Sequence, residues 1–269
     1  MQELDLSPYL NQIILPGDNS HKGENGRVLV IGGSTLFHAA SVWSAAMAAK
    51  IVDMVHFCSP VLENNDLMRK RAKAKFWEGI VVPYEEINHY IEEDDAILIG
   101  PGMERGEETR SIVNNLLQKY PNKRWIVDGG ALQEVDPSLL TSTMIITPNQ
   151  KELAILNSKL AIHNSTLSCT ILAKGHTDTV KSADLPNCRI AEIQILGGSP
   201  GLTKGGTGDV LAGLVLGLSA KSPALASCVI ASYCLKAASE KLSKITGPFF
   251  APTDLINQIP KTLYSLLKS

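Results

Sequence analysis

Short apolar runs rich in β-branched residues recur along the chain, each followed by a stretch of helical periodicity. Arg27-Val28-Leu29-Val30-Ile31-Gly32-Gly33 predicts a strand ending in a glycine turn, and the alanine-rich residues 39–50 predict a helix behind it. Residues 54–59 predict a second strand. Ala96-Ile97-Leu98-Ile99-Gly100-Pro101-Gly102 predicts another buried strand with its own breaker, followed by an amphipathic helix at about 107–120. Residues 125–128, 144–148 and 170–175 continue the series. Residues 179–182 and 189–195 predict a late hairpin or strand pair, and two long helices are expected at about 207–220 and 223–243.

These strand runs are apolar throughout and do not alternate, which suits strands covered on both faces of a parallel sheet. Strand–helix alternation with breakers at the strand ends argues an α/β sandwich. No internal repeat, low-complexity segment or Pro/Ser-rich linker divides residues 1–269, which predicts a single domain. Ligands of open α/β sheets bind beyond the carboxyl ends of the strands. Gly32-Gly33-Ser34, Gly100-Pro101-Gly102, Asp128-Gly129-Gly130, Thr147-Pro148-Asn149 and Lys174-Gly175 all fall at that rim. Five such loops in series point to a cleft more than to ordinary turn chemistry.

Composition narrows the function classes. With 25 Lys+Arg against 27 Asp+Glu and a net charge of −2, the chain lacks the basic excess of a nucleic-acid binder. The densest basic stretch, Arg69-Lys70-Arg71-Ala72-Lys73-Ala74-Lys75, reads as a solvated helix face. The five cysteines (58, 169, 188, 228 and 234) form no C-x-x-C pair, so reduced thiols are expected, without a disulfide framework or zinc site. The acidic start has no signal-peptide h-region, and the longest apolar run, 210–220, is too short to span a bilayer. A cytoplasmic protein with no membrane or nucleic-acid partner is expected. Trp43, Trp77 and Trp125 are spread along the chain and read as packing residues.

The sharpest local signal is Lys204-Gly205-Gly206-Thr207-Gly208-Asp209-Val210-Leu211-Ala212-Gly213. Three glycines and a threonine open an apolar helix, so backbone N–H donors can approach an anion at a helix start. A Rossmann fingerprint beginning at Gly206 would need glycine at Leu211, and a P-loop beginning at Gly198 would need glycine at Thr203. Asp209 reads either as a first-turn acid that complements the helix dipole or as a general base for an attacking hydroxyl. Lys174 reads either as a cation for the same phosphates or as a strand-end lysine.

Taken in order over nearly the whole chain, these pieces resemble the ADP/ATP-dependent NAD(P)H-hydrate dehydratases of the ribokinase-like superfamily. The resemblance rests on His21-Lys22-Gly23, residues 26–34, Gly100-Pro101-Gly102, Val127-Asp128, Thr147-Pro148 with Glu152, Lys174-Gly175 and residues 205–213. The last piece marks the superfamily, and the opening His-Lys-Gly with Gly-Gly-Ser narrows it to the dehydratases. The fold implied is a three-layer α/β/α sandwich with a mostly parallel sheet. The activity implied is phosphorylation of the C6 hydroxyl of hydrated NADH or NADPH (NADHX, NADPHX) from ADP or ATP, then phosphate elimination.

The resemblance also implies site residues. Asp209 would be the catalytic base, and Gly205, Gly206, Thr207 and Gly208 would hold the phosphoryl group. Lys174, Gly175, His176, Thr177 and Asp178, with Gly208, would contact the nucleotide. Ala40, Gly102, Asn149 and Asp209 would contact the hydrated cofactor. Mg2+ is implied as cofactor with ADP or ATP as co-substrate, and no metal ligand is assigned. A homotetramer is implied, with an NAD(P)HX epimerase on a separate chain, since this chain has no room for the family's fused epimerase domain.

The chain departs from the family pattern at several positions. Ala39-Ala40 replaces Gly-Ala, Asn149 replaces a histidine, and Gly129-Gly130 replaces a second acid after Asp128. Residues 198–202 lack an asparagine, although Ser199 stands nearby, and residues 50–54 lack the glycines usual after the first helix. Two other readings compete. One is a small-alcohol kinase of the hydroxyethylthiazole kinase type, whose usual cysteine stands against Asp209. The other is a nucleotide-binding protein without turnover.

Overall fold

The computed structural model describes residues 4–72, 78–162, 166–182 and 192–268. In chain order the elements are α1 (Ser7–Leu10), β1 (Arg27–Ile31), α2 (His38–Ala48), β2 (Met54–Cys58), α3 (Leu62–Ala72) and β3 (Ile80–Val81). Then come α4 (Ile87–Glu93), β4 (Ala96–Ile99), α5 (Glu107–Lys119), β5 (Arg124–Val127), α6 (Gly129–Glu134), β6 (Ile145–Ile146) and α7 (Gln150–Ile162). The chain closes with β7 (Thr170–Ala173), β8 (Asp178–Lys181), β9 (Ile193–Ile195), α8 (Thr207–Ser219), α9 (Ala224–Thr246) and α10 (Pro252–Leu267).

The strands form one sheet in the order β3-β2-β1-β4-β5-β6-β7-β8-β9. Pairing is parallel from β3 through β7 and antiparallel from β7 to β9. The non-alternating strands behave as parallel strands buried on both faces should. Val28 and Val30 of β1 join one core, with α2, α8, α9 and α10, while Leu29 and Ile31 join the other, with α4, α5, α6 and α7. The result is the three-layer α/β/α sandwich. Trp125 is fully buried in the second core.

The chain runs outward from β1 through β2 to β3, then returns to place β4 on the other side of β1. The loops after β1 and β4 therefore leave the sheet in diverging directions and open a crevice at its carboxyl end. Gly33 donates its N–H to the Pro101 carbonyl at 2.8 Å, which joins the two loops at the crevice floor. Across it lies α8, packed on α2 and β4.

Several boundaries differ from the sequence reading. The run 144–148 keeps only Ile145–Ile146 as strand, because Pro148 has no N–H for the ladder. The expected late strand pair is β8 with β9, but residues 189–191 lie outside the described residues. The helix expected to stop near 243 continues to Thr246. Helix α10 was not foreseen, and it carries Pro260 in its interior. The basic stretch falls on the end of α3, where Arg69 pairs with Asp66, while Lys73, Lys75 and Trp77 lie outside the described residues. Cys58, Cys169, Cys228 and Cys234 are free and buried, and Cys188 lies outside the described residues. Among the described residues no helix is long and apolar enough to cross a membrane.

Candidate active site at the carboxyl rim of the sheet

The start of α8 is shaped by glycine. Gly206 is its N-cap with φ of +95°, and a β-carbon there would stand 2.4 Å from the Trp43 ring. Trp43 thus packs directly beneath the loop. The hydroxyl of Thr207 donates to the carbonyls of Leu202 and Lys204, at 2.7 and 2.9 Å, and so ties the loop to its own approach segment. The Thr207 N–H makes a long 3.4 Å contact with the Lys204 carbonyl. No side chain caps the helix, and among the described residues the N–H groups of Gly205, Gly206 and Gly208 have no acceptor. Unpaired donors at a helix start are an anion site, and the helix dipole adds a favourable ~0.3–1 kcal/mol to it.

Asp209 lies in the first turn, half-buried, with its main-chain carbonyl accepting from the Ser44 hydroxyl at 2.8 Å. Burial first, and the Asp128 carboxylate second, push its carboxyl up to about 6 against the opposing pull of Lys174. A simple dipole-complementing acid would be stabilised as its anion. Burial and Asp128 act on Asp209 in the opposite direction.

Lys174 comes from the end of β7. Its ammonium donates to Asp128 Oδ1 at 2.6 Å, and the same oxygen accepts from the Thr147 hydroxyl at 2.8 Å. Burial disfavours the ammonium charge, but Asp128, Glu152 and Asp209 outweigh burial and raise its pKa above the usual lysine value. An ideal β-carbon on Gly208 would sit 3.4 Å from Lys174 Nζ, so the cation reaches the start of α8. Lys174 is thus a strand-end lysine that is paired with Asp128 and reaches the start of α8.

Beside Lys174 opens a cleft of about 540 Å³. Gly175, His176 and Asp178 form one wall, residues 197–203 the other, and Thr207, Gly208 and Leu211 the end nearest Asp209. Asp178 closes the Gly175 turn by accepting its N–H at 2.8 Å. Thr177 lies in that turn, its carbonyl 3.1 Å from an ideal β-carbon on Gly175. Five residues expected to contact the nucleotide thus form one turn, with Gly208 facing it.

Of the positions expected to contact the hydrated cofactor, Ala40 and Gly102 lie on the α2 and β4 side, while Asn149 follows β6 and forms a β-bridge with Lys174, and Asp209 stands on α8. Gly102 has φ of +71°, and a β-carbon there would meet the Phe37 carbonyl at 2.2 Å and the Ala40 methyl at 3.0 Å. Ala40 and Gly102 are therefore neighbours, although 62 positions apart in the sequence. Asn149 caps α7: its Oδ1 accepts from Lys151 and Glu152 N–H at 2.9 and 3.0 Å, and Glu152 returns a bond to Asn149 N–H at 2.8 Å. That leaves the amide NH2 of Asn149 for a ligand. This backbone leaves no room for a side chain at Gly130, because a β-carbon would stand 2.0 Å from the Met103 carbonyl.

The motif pieces that carry the resemblance fall in two places. His21-Lys22-Gly23 stands at the opposite end of the sheet, where Gly23 and Asn25 N–H donate to the Asp53 carboxylate ahead of β2. It is a structural loop and no part of the site. Asp128, Thr147 and Glu152, by contrast, were read as motif pieces without a role and form the polar floor under Lys174. Ser199, the residue near the missing asparagine, caps the turn at 200–203 by accepting from Gly201 N–H at 3.2 Å. Lys236, buried under the cleft, was missed; a lysine inside an apolar helix run was its signal.

A resident metal cage does not fit these residues. Among the described residues no three His, Cys, Asp or Glu side chains gather to hold an ion. Asp128 is engaged by Lys174 and Thr147, and Glu152 by Asn149 and Gln133.

A family model described as NAD(P)H-hydrate dehydratase matches residues 28–261. The bifunctional NAD(P)H-hydrate repair enzyme Nnr of Methanocaldococcus jannaschii is 33% identical over 255 residues, covering 91% of this chain and 49% of its own. The chain therefore spans about half the length of that relative. The ADP-dependent (S)-NAD(P)H-hydrate dehydratase of Enterococcus faecalis is 29% identical over 278 residues, covering 94% of this chain and 91% of its own. Among solved structures, a ribokinase-like superfamily protein from E. faecalis V583 superposes with a TM-score of 0.80 at 25% identity, covering 97% of this chain and 95% of that one. The ADP/ATP-dependent NAD(P)H-hydrate dehydratase of Bacillus subtilis, co-crystallized with ATP/Mg2+, has a TM-score of 0.77 at 18% identity, with 98% and 97% covered, and shares the fold.

Proposed function

The chain belongs to the NAD(P)H-hydrate dehydratase family, and from that premise we propose that it restores NADH or NADPH from NADHX or NADPHX at the expense of ADP or ATP. The observation that carries the reading is Asp209, with a carboxyl pushed up to about 6, set among unpaired N–H donors and the Lys174 cation. That is the equipment for moving a phosphoryl group onto a neutral hydroxyl.

The nucleotide lies along the 540 Å³ cleft with its terminal phosphate at the start of α8. The hydrated nicotinamide ring lies toward Ala40, Gly102 and Asn149. The C6 hydroxyl oxygen attacks the terminal phosphorus as Asp209 accepts its proton. The bond to the leaving nucleotide breaks, releasing AMP from ADP or ADP from ATP. The N–H groups of Gly205, Gly206, Thr207 and Gly208 hold the equatorial oxygens, and Thr207 turns from its long Lys204 contact to do so. Lys174 offsets the charge of the nucleotide phosphates. The C6–O bond of the phosphate ester then breaks, a proton leaves the neighbouring carbon, and the ring double bond returns. Magnesium bound with the nucleotide would supply further charge neutralisation, and no residue of this chain is assigned to hold it.

In this reading residues 1–269 work as one domain, in the cytoplasm, as a homotetramer, with the epimerase supplied by a separate chain. The test is the rise in near-ultraviolet absorbance of reduced nicotinamide when NADHX or NADPHX meets the protein, magnesium and each nucleotide in turn. A nucleotide-dependent rise is expected. A flat trace from protein that binds nucleotide would overturn the reading.

A further inference from the structure

The two walls of the nucleotide cleft come from different parts of the chain: the turn at 174–178 joins β7 to β8, and residues 197–203 follow β9. The walls are joined at their base by the β8–β9 pairing, where Asp178 faces Ile195. Both are held by one helix, α9, through residues at helical spacing on a single face. Ser232 Oγ donates to Asp178 Oδ2 at 2.7 Å. Ser239 Oγ accepts from Ser199 N–H at 2.9 Å, Glu240 Oε1 from Gly198 N–H at 2.7 Å, and the Ser243 hydroxyl bonds that of Ser199.

Lys236 stands in the middle of this face and, among the described residues of α9, bonds to both walls. Only 4% of it is exposed. Its ammonium donates to the His176 carbonyl at 3.0 Å and to the Gly197 carbonyl at 3.3 Å, and it pairs with Asp178 Oδ1 at 3.6 Å. Two donors thus meet one carbonyl on each wall, and the Asp178 carboxylate lies at ion-pair distance. A buried ammonium is tolerated only when so satisfied, and the requirement runs both ways: the acceptors are held where the cation is.

Resting on the function proposed above, we infer that Lys236 is the positioning residue that sets the width of the nucleotide cleft, with Ser232 aligning Asp178 beside it. Lys236 acts through the backbone of the two walls and takes no part in phosphoryl transfer. Cleft width therefore governs nucleotide affinity and leaves the hydrated-cofactor side, built on α2 and β4, untouched. A helix that keeps an ion pair here, where an apolar residue would pack, buys geometry in the loops above it.

The test is calorimetric titration of ADP and of ATP, with magnesium, into the wild type, Lys236→Met and Ser232→Ala, together with steady-state kinetics. Lys236→Met is expected to weaken nucleotide binding about tenfold or more, raising nucleotide KM in proportion. Its kcat at saturating nucleotide and its KM for the hydrated cofactor should stay within about twofold. Ser232→Ala, which removes one hydrogen bond and no charge, should weaken nucleotide binding about two- to fivefold in the same pattern. Lys236→Arg, which keeps the charge, should restore part of the lost affinity. Unchanged affinity in a folded Lys236→Met overturns the inference, as does an equal loss in kcat or in hydrated-cofactor KM. Should Lys236→Met not fold, unchanged affinity in Ser232→Ala overturns it alone. A wild type that binds neither nucleotide overturns the site assignment itself, an outcome distinct from wild-type binding with indifferent variants.

Discussion

The proposed nucleotide wall of the site and the proposed hydrated-cofactor wall are organised by different physics. The nucleotide wall is held by charge: Asp128 with Lys174 at 2.6 Å, and Asp178 with Lys236 at 3.6 Å. The other wall is held by backbone contact, where Gly102 meets the Phe37 carbonyl and Gly130 meets that of Met103 with no room for a side chain. Buried ion pairs fix geometry through long-range attraction and respond to pH and to isosteric replacement. Close backbone packing has no charge to titrate and responds to volume alone. The lesson is that one site can be rigid for two unrelated reasons and can be broken in two separable ways.

The largest expected effect falls where the walls meet. Asp209→Asn should lower kcat by about 10²–10⁴-fold while leaving nucleotide binding nearly intact, read by turnover and by titration calorimetry. Full turnover in that variant would remove the base from the mechanism.

Next comes the charged wall. Lys174→Met strands the Asp128 carboxylate and should cost roughly 3 kcal/mol of stability in denaturant titration. Nucleotide affinity should fall with it, and the hydrated-cofactor KM should not. A selective loss on the cofactor side would reverse the two walls.

The backbone wall is probed by Gly102→Ala. Left-handed backbone costs a non-glycine residue about 1–2 kcal/mol, and the Phe37 carbonyl must also give way. The expected outcome is about a tenfold rise in the hydrated-cofactor KM with unchanged nucleotide affinity. A matching loss of nucleotide affinity would show that the walls are one mechanical unit.

The pH dependence sharpens the comparison further. Asp209 must be ionised to accept a proton, so activity should fall as pH drops through about 6. Replacing Asp128 by Asn removes a like charge and frees Lys174, and both changes move this acidic limb to lower pH. Lys174→Met moves it to higher pH. Shifts of up to about one unit in the profile of kcat/KM are expected, and Gly102→Ala should leave the limb where it is.

The smallest effect is thermodynamic. A carboxyl whose folded pKa is raised favours folding below its unfolded value near 4, and that contribution is lost as pH rises through the folded value near 6. Asp209→Asn should therefore melt above the wild type at about pH 8, with the gap closing toward about pH 4. A gap independent of pH would mean that ionisation of Asp209 carries no cost.

Much of the fold was legible because parallel strands buried on both faces leave an unbroken apolar signal, as in Val28-Leu29-Val30-Ile31 and Ala96-Ile97-Leu98-Ile99. The start of α8 was legible for a similar reason: Gly205-Gly206-Thr207-Gly208 must be glycine-rich to expose its N–H groups, and that need is local. Helix α10 was hidden by Pro260, whose usual meaning as a helix breaker is overridden by packing on α9. His21-Lys22-Gly23 belongs to the family pattern, and its loop bonds Asp53 at the far end of the sheet. Lys174 could not be told from a solvated lysine without Asp128, which lies 46 positions away.

The sequence by itself determined most of the strands and the helices α2, α5, α8 and α9, that the sheet is largely parallel and doubly covered, and that a glycine-rich loop opens α8. These are set by periodicity and by backbone freedom within a few residues. Only the tertiary structure decided which residues face one another across the site. It brought Ala40 against Gly102, Lys174 against Asp128, and Lys236 beneath both walls of the cleft. The pKa of Asp209 was decided there too, because burial and the charges around it come from segments distant in the chain. Electrostatics and close packing depend on distances in space, and sequence spacing records those distances only within a single turn of helix or a single strand.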